Sequence, residues 1–579
     1  MNIKKFLFHN SIFPILILAA ILRIWQLGSL PPSLTPDEAA LGYNAYSILK
    51  TGRDEYGKLL PVIFKSFGDY KPGFYIYTTV PFIAIFGLTE FAVRLPSAIA
   101  GVIAVWLMYL IVKKIRLKNI LEIGNPSTSL GKVGLPDCLK LEIIGSSLLA
   151  INPGHIHFSR GAWEANLALT LTLFGIYFFL KALDRSKFLI LASVFFSLTV
   201  LTYQGAKLST LIVIFVLIVS YWQETKAIIT NNLVTVIQST IVGLIIVLPV
   251  LISFHFGQTG RLNVFNVFSY PRPKEYLQTF LDQGNEKVGS LNYYLFHSEP
   301  LNYKRGIMSR WFNHFSGRFL FFEGDWQNPR HSAPNHGMLL LSDIILLVIG
   351  FNSIIRKSNK FTYFILLWLL LAPLPAVLSR DQVHAIRSLN MVIPLTFLSS
   401  FGLIDIFGFN KNLSNNLKKF SFISFISILF VGSLVYYLDS YFIHLSKHNS
   451  KLWEYGYKQM VEIVTPIQKN YTTVKVQQSF AQPYIYFLFY QKYPPAVYQK
   501  KSKLVDSGLI GDVGYVNKLD NIEFVPIDWS LNRGDSGSLI IGDSVRIPPQ
   551  DSSDTKLFTL INEIKYLNGE TAFRIIEIK

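Results

Sequence analysis

Long apolar runs alternate with short polar segments along most of this chain. A helix needs about 17–25 mostly apolar residues to cross a membrane, and stretches close to this length recur as far as residue 438. The predicted spans are 11–27, 91–112, 142–159, 165–183, 188–203, 208–222, 233–254, 338–355, 361–378, 388–405 and 421–438. The pattern predicts a polytopic α-helical membrane protein with about eleven spans.

Lysine and arginine favour the cytoplasmic connections of such proteins, and this preference predicts the orientation. With the N-terminus inside, every inside connection is basic; these connections are 1–10, 113–141, 181–187, 223–232, 356–360 and 409–420. The pattern requires that 73–88, which contains Pro81, lies at the surface or re-enters instead of crossing. We therefore predict a multi-pass protein of the cell membrane, with a cytoplasmic N-terminus and an extracytoplasmic C-terminus.

Three of the predicted outward segments are long, namely 28–90, 255–337 and 439–579. The last one mixes helical periodicity with short β-like runs. The helical stretches are 451–468 and 482–491, and the β-like runs are 474–478, 522–527, 538–541 and 573–578. The sequence thus predicts a transmembrane catalytic domain over 1–438 and a small extracytoplasmic α/β domain over 439–579.

Composition agrees with this organisation. Apolar residues make up 51% of the chain and charged residues 16%, whereas soluble domains carry about 25% charge. Cys138 is the single cysteine, which excludes a disulfide framework and a cysteine-ligated metal site. The net charge of +18 is largely explained by the inside connections, so we predict no nucleic-acid partner.

Charged residues close to a bilayer are costly and usually functional, and here the unusual ones fall on the predicted outer side. Asp37 and Glu38 begin a helix that runs to Leu49, where a carboxylate also serves as an ordinary N-terminal cap. Asp69 and Lys71 precede the interfacial segment. Lysine also marks membrane edges without any other role, so both interpretations of Lys71 stay open.

Two predicted connections between spans carry further candidates. The first contains Arg160 and Glu164; a metal site with His157 is conceivable there, but the spacing is not diagnostic and we predict no metal. The second contains Arg380, His384 and Arg387, which would share one face of a helix. Three donors on one face suit a phosphate, and the alternative is an ordinary basic connection.

Together these residues suggest chemistry on a lipid whose phosphate lies at the membrane surface. Lys71, Arg160, Arg380 and Arg387 would hold the phosphate, and Asp37 would accept a proton from an acceptor hydroxyl. This predicts sugar transfer from a lipid phosphate. The alternative is a transporter or flippase for a lipid-linked saccharide, which would need charged or broken helices near mid-membrane. A third hypothesis makes 439–579 a binding module and the rest its anchor.

Several short elements resemble the GT-C glycosyltransferases, in particular the protein O-mannosyltransferase (family 39) and aminoarabinose-transferase-like group. The resemblance covers roughly residues 15–185. The elements are Leu22-Arg23-Ile24-Trp25-Gln26-Leu27, Pro36-Asp37-Glu38-Ala39, Lys71-Pro72, Phe86-Gly87 and Phe91-Ala92-Val93-Arg94-Leu95-Pro96-Ser97-Ala98.

This resemblance implies a polyprenyl-phosphate-linked sugar donor and an inverting transfer on the non-cytoplasmic face. It implies that Asp37 is the catalytic carboxylate, with Glu38 beside it, and that Lys71 binds donor phosphate. Glu164 falls where related proteins carry an acidic residue, although this chain lacks their Asp-Pro step there. Metal dependence varies among GT-C enzymes, and we predict no cofactor. The sugar and the acceptor, which is a protein, a glycolipid or a cell-wall polymer, stay open.

Overall fold

A computed structural model gives the architecture of the chain. It describes residues 12–122, 135–258, 266–269, 271–356, 359–413, 415–479, 481–501, 503–505 and 513–579. The predicted inside segment 1–10 and the middle of 113–141 therefore lie outside the described residues. The described chain consists of a large helical part, followed by a smaller part that contains a β-sheet.

Each of the predicted spans contains a helix. In the helical part, α-helices cover Ile12–Ile24, Pro36–Thr51, Phe74–Phe86, Glu90–Glu122, Leu135–Ile151, Pro153–Arg160, Glu164–Ala182, Phe188–Val200, Ala206–Ser220, Trp222–Asn231, Leu233–His255, Lys274–Gln283, Glu299–His314, Asp343–Arg356, Lys360–Leu371, Leu374–Val377, Val392–Asn412, Asn416–Asp439 and Leu445–Asn449. The prediction of a polytopic helical protein is confirmed.

Six helices of the described chain are long and apolar enough to cross a membrane. They are Glu90–Ile115, Glu164–Ala182, Leu233–His255, Lys360–Val377, Leu389–Asn410 and Asn416–Asn449. A seventh span arises if Ala206–Ser220 and Trp222–Asn231, which meet at a bend of 90°, are counted together. Shorter apolar helices occupy the other predicted spans, so the count of about eleven stays a prediction.

Close helix packing in the bundle depends on small residues. Gly350 and Gly402 face each other on the helices Asp343–Arg356 and Val392–Asn412. A Cβ atom on Gly350 would come within 1.9 Å of the carbonyl oxygen of Leu398. Only glycine permits this approach, which is typical of tightly packed membrane helices.

The loop 28–90 is folded. The helix Pro36–Thr51 begins with a capping box in which Thr35 and Glu38 exchange hydrogen bonds with each other's backbone. A short antiparallel hairpin of Ile63–Ser66 and Asp69–Pro72 follows. The apolar helix Phe74–Phe86 lies where the sequence predicts an interfacial segment.

The C-terminal part is an α/β domain, as predicted. The strand Thr473–Gln477 lies at the centre of the sheet and is parallel to both neighbours, while the other pairings are antiparallel. In spatial order the strands are Lys518–Leu519, Ile522–Val525, Thr473–Gln477, Ser538–Gly542, Thr571–Ile578 and Phe558–Lys565. A separate pair joins Leu504–Val505 to Tyr515–Val516. The α-helices are Tyr457–Ile467, Pro483–Tyr490, Pro495–Lys501 and Trp529–Asn532.

The α/β domain shares a hydrophobic core with the helix Pro36–Thr51. The Tyr43 hydroxyl donates to the carbonyl of Tyr493 (3.0 Å), and the Tyr486 hydroxyl donates to the carbonyl of Leu34 (3.1 Å). The domain therefore supports the helix that carries Asp37. It does not extend as a separate module.

One local prediction is wrong. The segment 379–388 is a series of bends and turns, followed by a 3₁₀ turn at Leu389–Met391. Its backbone is not helical, so helical spacing does not place Arg380, His384 and Arg387 on a common face. Local backbone hydrogen bonds stabilise its turns, for example the one from the Ser388 amide to the His384 carbonyl (3.1 Å).

Candidate active site

Asp37 and Lys71 form an ion pair between a helix start and a strand. Pro36 and the Thr35 cap fix the start of the helix, which projects Asp37 from its first turn, and Lys71 belongs to the hairpin strand Asp69–Pro72. The Asp37 side chain is 47% exposed and that of Lys71 is 23% exposed. Two residues 34 positions apart therefore meet where solvent reaches both side chains.

The charge environment of Lys71 is predominantly negative. Burial by itself would lower the pKa of the Lys71 ammonium, but Asp37 first and then Glu164 and Asp69 act in the opposite direction, and the net result is a raised pKa. The ammonium is therefore fully charged at neutral pH. A cation held among carboxylates is suited to exchange one of them for the phosphate of a ligand.

Glu164 belongs to the same group of charged residues as Asp37 and Lys71. It is the first residue of the helix Glu164–Ala182, and it lies within electrostatic range of both Lys71 and Asp37. The backbone amide of Ala162, just before this helix, donates to Glu38 Oε1 (2.8 Å). This hydrogen bond ties the connection 152–163 to the helix that carries Asp37.

Glu38 is committed elsewhere. Its carboxylate accepts from Arg94 Nε (3.0 Å) and Nη2 (3.2 Å), and from the backbone amide of Thr35 (3.0 Å). Both side chains of the ion pair are almost fully buried. Arg94 also donates to the carbonyls of Leu27, Pro31 and Ser33. Glu38 is thus a structural residue, and we withdraw it from the predicted catalytic pair.

Arg160 is also withdrawn from the predicted phosphate-binding residues. It is fully buried, and its guanidinium donates to the carbonyls of Leu22 (2.9 Å), Trp25 (2.6 Å) and Leu30 (3.0 Å). The guanidinium also lies over the ring of Phe442, 5.0 Å from its centroid. These contacts fix the first span to the connection that precedes Glu164, and they use the guanidinium for protein carbonyls.

A turn that the sequence analysis did not single out completes the site. Gln204 Nε2 donates to the Tyr70 carbonyl (2.6 Å), and the Phe74 amide donates to the Leu201 carbonyl (3.0 Å). The turn 201–205 is therefore docked against the strand of Lys71. No charge or motif in the sequence marks this turn, which is why only the fold reveals it.

Tyr203, in the same turn, connects the two sides of the site. Its hydroxyl forms a side-chain hydrogen bond with Arg387, and it also lies within range of the Glu164 charge. Burial raises the pKa of Tyr203 to about 12, although Arg387 acts against the shift. The hydroxyl therefore keeps its proton at neutral pH, and Tyr203 links the carboxylate group to the arginine-bearing segment 379–388.

The arginines of that segment lie next to a cavity. Arg387 Nη1 donates to Asp381 (3.0 Å), and Arg380 Nε lies 3.9 Å from the same carboxylate group. A cavity of about 420 Å³ is lined by Arg380, Asp381, Arg310, Tyr303, Asn302, Gln327, Val267 and Gly306. Arg380 lines this cavity, and Arg387 is joined to it through their common partner Asp381.

His384 and Asp69 have separate positions. His384 is buried, and its amide donates to Nε2 of His314 (3.2 Å). It packs against His331, with ring centroids 5.4 Å apart, so we withdraw it from the phosphate-binding residues. The Asp69 carboxylate accepts from the amide of Tyr70 (2.7 Å) and acts on the Lys71 charge.

Comparisons with known proteins agree with this architecture. Residues 14–122 match the family model described as dolichyl-phosphate-mannose-protein mannosyltransferase. That segment contains Asp37, Glu38 and Lys71. The chain resembles the GT-C glycosyltransferases.

Solved structures extend the likeness to the whole fold. The apo structure of ArnT from Cupriavidus metallidurans aligns with a TM-score of 0.51 at 12% identity, and the alignment covers 97% of each chain. The structure of the same protein bound to undecaprenyl phosphate aligns with a TM-score of 0.53 at 11% identity, again over 97% of each chain. No curated protein matches the sequence. At this identity the likeness establishes the fold, a multi-pass helical part followed by a sheet-containing domain.

Proposed function

We propose that this protein transfers a sugar from a polyprenyl-phosphate-linked donor to an acceptor hydroxyl on the non-cytoplasmic face of the membrane. The observation that carries the proposal is the partly exposed Asp37–Lys71 ion pair with Glu164 beside it. In this proposal Asp37 is the base and Lys71 is the phosphate-binding cation, and the two side chains are in direct contact. The GT-C resemblance and the ArnT structure with bound undecaprenyl phosphate support the choice of donor.

Binding of the donor changes the partner of Lys71. A donor phosphate offers the ammonium several strong acceptor oxygens and so competes with Asp37 for it. Once Lys71 holds the phosphate, the Asp37 carboxylate is released to accept a proton. The pocket therefore becomes competent for base catalysis only when a donor is present, and water or an acceptor alone leaves the ion pair closed.

The transfer itself is a single displacement at the anomeric carbon. The acceptor oxygen attacks as its proton passes to Asp37, the bond from the anomeric carbon to the phosphate oxygen breaks, and the electron pair leaves with the polyprenyl phosphate. Lys71 stabilises the negative charge that develops on that phosphate. Attack opposite the leaving group inverts the configuration, as the resemblance implies. Protonated Asp37 then loses its proton to solvent.

The side of the membrane follows from the distribution of basic residues. Lys113 and Lys114 lie in the last turn of the span Glu90–Ile115 and Arg116 follows it, at the opposite end of the span from Arg94, the partner of Glu38. Since basic clusters mark the cytoplasmic side, the end that carries Asp37 faces away from the cytoplasm. We propose that the α/β domain lies on that same side because it packs on the Asp37 helix.

Cells with and without the gene provide the test. Their glycolipids, glycoproteins and cell-wall polymers are compared by mass spectrometry, and the missing modification identifies both sugar and acceptor. The wild-type gene should restore the modification, and a gene carrying Asp37→Asn should not, although its protein accumulates equally. Asp439→Asn, an exposed change in the last long helix, is the matched control and should restore it. Restoration by Asp37→Asn would remove Asp37 from the mechanism.

A further inference from the structure

Three buried side chains converge behind the candidate active site. Asp325 and His331 both belong to the loop 323–337 and are six residues apart. His384 lies in the turn segment 379–388. Each residue offers one ligand atom, and the three atoms lie within 4.8 Å of one another. All three residues are buried, with exposures of 0%, 2% and 9%.

Two ring nitrogens of this group have no hydrogen-bond partner among the described residues. These atoms are Nε2 of His331 and Nδ1 of His384, and both are buried. A buried polar atom without a partner destabilises a fold, so such atoms call for an explanation. Both atoms belong to imidazole rings whose centroids lie 5.4 Å apart, within the cluster that also contains the Asp325 carboxylate.

The chemistry of the donors suits a metal ion. Two imidazoles and one carboxylate form the protein ligand set of many open zinc sites. His331 Nδ1 lies 2.8 Å from Asp325 Oδ2, so an ion that replaces the proton between these two atoms can bind both of them. Trp163 and Phe158, whose ring centroids lie 5.4 and 6.0 Å from that of His331, shield this imidazole from bulk water.

The surrounding charges tolerate a cation. Arg387 is paired with Asp381 (3.0 Å), so its charge is compensated. Arg330 also acts on His331, but it lies within electrostatic range of Glu454. Asp381 also lies 3.9 Å from Arg380 Nε, and Asp325 brings a negative charge into the cluster itself.

We propose that Asp325, His331 and His384 form a binding site for a divalent transition-metal ion of the zinc type. Ligand atoms of a tetrahedral site at about 2.1 Å from the metal are about 3.4 Å apart, so the side chains close by roughly 1 Å on the ion. The Asp325 carboxylate already accepts four hydrogen bonds, from the Asn328 amide and side chain, the Ala385 amide and His331. On metal binding it therefore exchanges the His331 proton for the ion.

The ion would be a positioning element for the arginine-bearing segment. It would join the loop 323–337 to the segment 379–388, three residues before Arg387, which contacts Tyr203 in the candidate active site. No step of the proposed transfer passes through it. The metal site therefore stands or falls independently of the sugar-transfer proposal.

Metal content of the purified full-length protein tests this inference. The protein is prepared without a polyhistidine tag, stripped with a chelator, loaded with Zn²⁺ and desalted, and the bound metal is counted by mass spectrometry. Co²⁺ serves as a second probe, because a four-coordinate site gives it intense visible absorption. We expect about one ion per chain, and the ion should raise the melting temperature.

Three variants locate the bound ion. His331→Gln and His384→Gln should each lower the bound metal at least about tenfold, in line with loss of one of three ligands. The matched control is the double change His444→Gln with His448→Gln, which removes an exposed histidine pair whose ring centroids are 6.0 Å apart. It should leave the metal content unchanged. Two independent single variants keep the test valid if one of them fails to accumulate.

Two results would overturn the inference. One is a stripped and reloaded protein that holds no more Zn²⁺ than either single variant. The other is metal that disappears with the His444/His448 change and persists in His384→Gln, which would mean surface binding only.

Discussion

Two adjacent carboxylates on one helix, Asp37 and Glu38, differ in their partners and in their exposure to solvent. Asp37 pairs with Lys71 and stays 47% exposed, whereas Glu38 pairs with Arg94 and is 1% exposed. Both belong to the first turn after the Thr35 cap. Neighbouring positions on a helix point in different directions, so the Asp37 side chain faces solvent while the Glu38 side chain faces the protein interior.

The difference lies in the number and kind of partners. The Glu38 carboxylate accepts from Arg94, from the Thr35 amide and from the Ala162 amide, so its lone pairs are used by the protein itself. The Asp37–Lys71 pair can exchange one partner for a ligand without unfolding anything. Buried, fully satisfied ion pairs fix geometry, while partly exposed ones contribute little to stability and are available for chemistry.

The largest expected effect is on activity. Asp37→Asn removes the proposed base without changing shape, and we expect sugar transfer to fall by about 10²–10⁴-fold, the usual contribution of a positioned general base. Because Asp37 is half-exposed, the melting temperature should stay close to that of the wild type. Transfer from a radiolabelled polyprenyl-phosphate sugar in isolated membranes measures the first quantity, and thermal unfolding in detergent measures the second. A large decrease in the melting temperature would show that Asp37, like Glu38, mainly stabilises the fold.

Glu38→Gln should show the reverse. It leaves the Arg94 guanidinium buried without a counter-charge, and breaking such a pair costs about 3–5 kcal/mol. We expect low accumulation in the membrane and a clearly lower melting temperature, measured by fluorescence-detected size exclusion after heating. Asp37→Asn, one residue away, is the matched control. If the two variants are equally stable, the Glu38–Arg94 pair contributes no more to stability than the Asp37–Lys71 pair, and the prediction is wrong.

Lys71 is expected to have an intermediate effect. Lys71→Met removes the cation that holds the donor phosphate, and the loss of a charge-assisted contact of about 1.5–3 kcal/mol predicts a roughly 10–100-fold decrease in kcat/KM. Lys71→Arg keeps the charge with a different shape and should recover part of the activity. Steady-state kinetics against donor concentration measure both. If Lys71→Met and Lys71→Arg behave identically, the charge of Lys71 is not what the donor requires.

Tyr203→Phe removes only the hydroxyl that joins the carboxylate group to Arg387. A hydrogen bond to a charged group contributes about 1.5–3 kcal/mol when fully lost, but Arg387 keeps its Asp381 partner. We therefore expect less than about a tenfold change in kcat/KM. Thr202→Val, in the same turn, serves as the control, and a larger effect from that change would indicate that the turn acts only through its packing.

Glu55 is a third carboxylate in the loop 28–90. It is buried, and its side-chain hydrogen bond comes from the uncharged Asn44. Burial raises its pKa to about 8, while the hydrogen bond from Asn44 opposes the shift. Because the folded-state pKa lies above the ordinary value, the stabilising contribution is complete below about pH 4.5 and is lost as the pH rises through about 8.

The wild-type melting temperature should accordingly decrease by a few degrees, on the order of 1–3 °C, between about pH 5 and pH 9. Glu55→Gln should make that decrease smaller, since the amide does not ionise. Scanning calorimetry or thermal fluorescence across this pH range measures the slope of both proteins. Parallel slopes would assign the pH dependence to other groups.

Much of the fold could be predicted from the sequence because its signals are local. Apolar runs located a helix in every predicted span, and alternation located the strands Thr473–Gln477 and Thr571–Ile578. The strand Phe558–Lys565 was missed, since polar and apolar residues do not alternate regularly along it and the apolar Leu560 is exposed. Local signals also failed at 379–388, where a helix was predicted and turns occur.

For the candidate site, the sequence determined which residues carry chemistry, and the fold decided which of them are available. The Pro36-Asp37-Glu38 step and Lys71 are visible in the sequence because charge beside a long apolar run is unusual. Nothing in the sequence distinguishes Asp37 from Glu38, Arg160 from Arg387, or the turn around Tyr203 from any other. Those differences come from contacts between residues far apart in the chain, since burial and hydrogen-bond partners arise only when the helices pack.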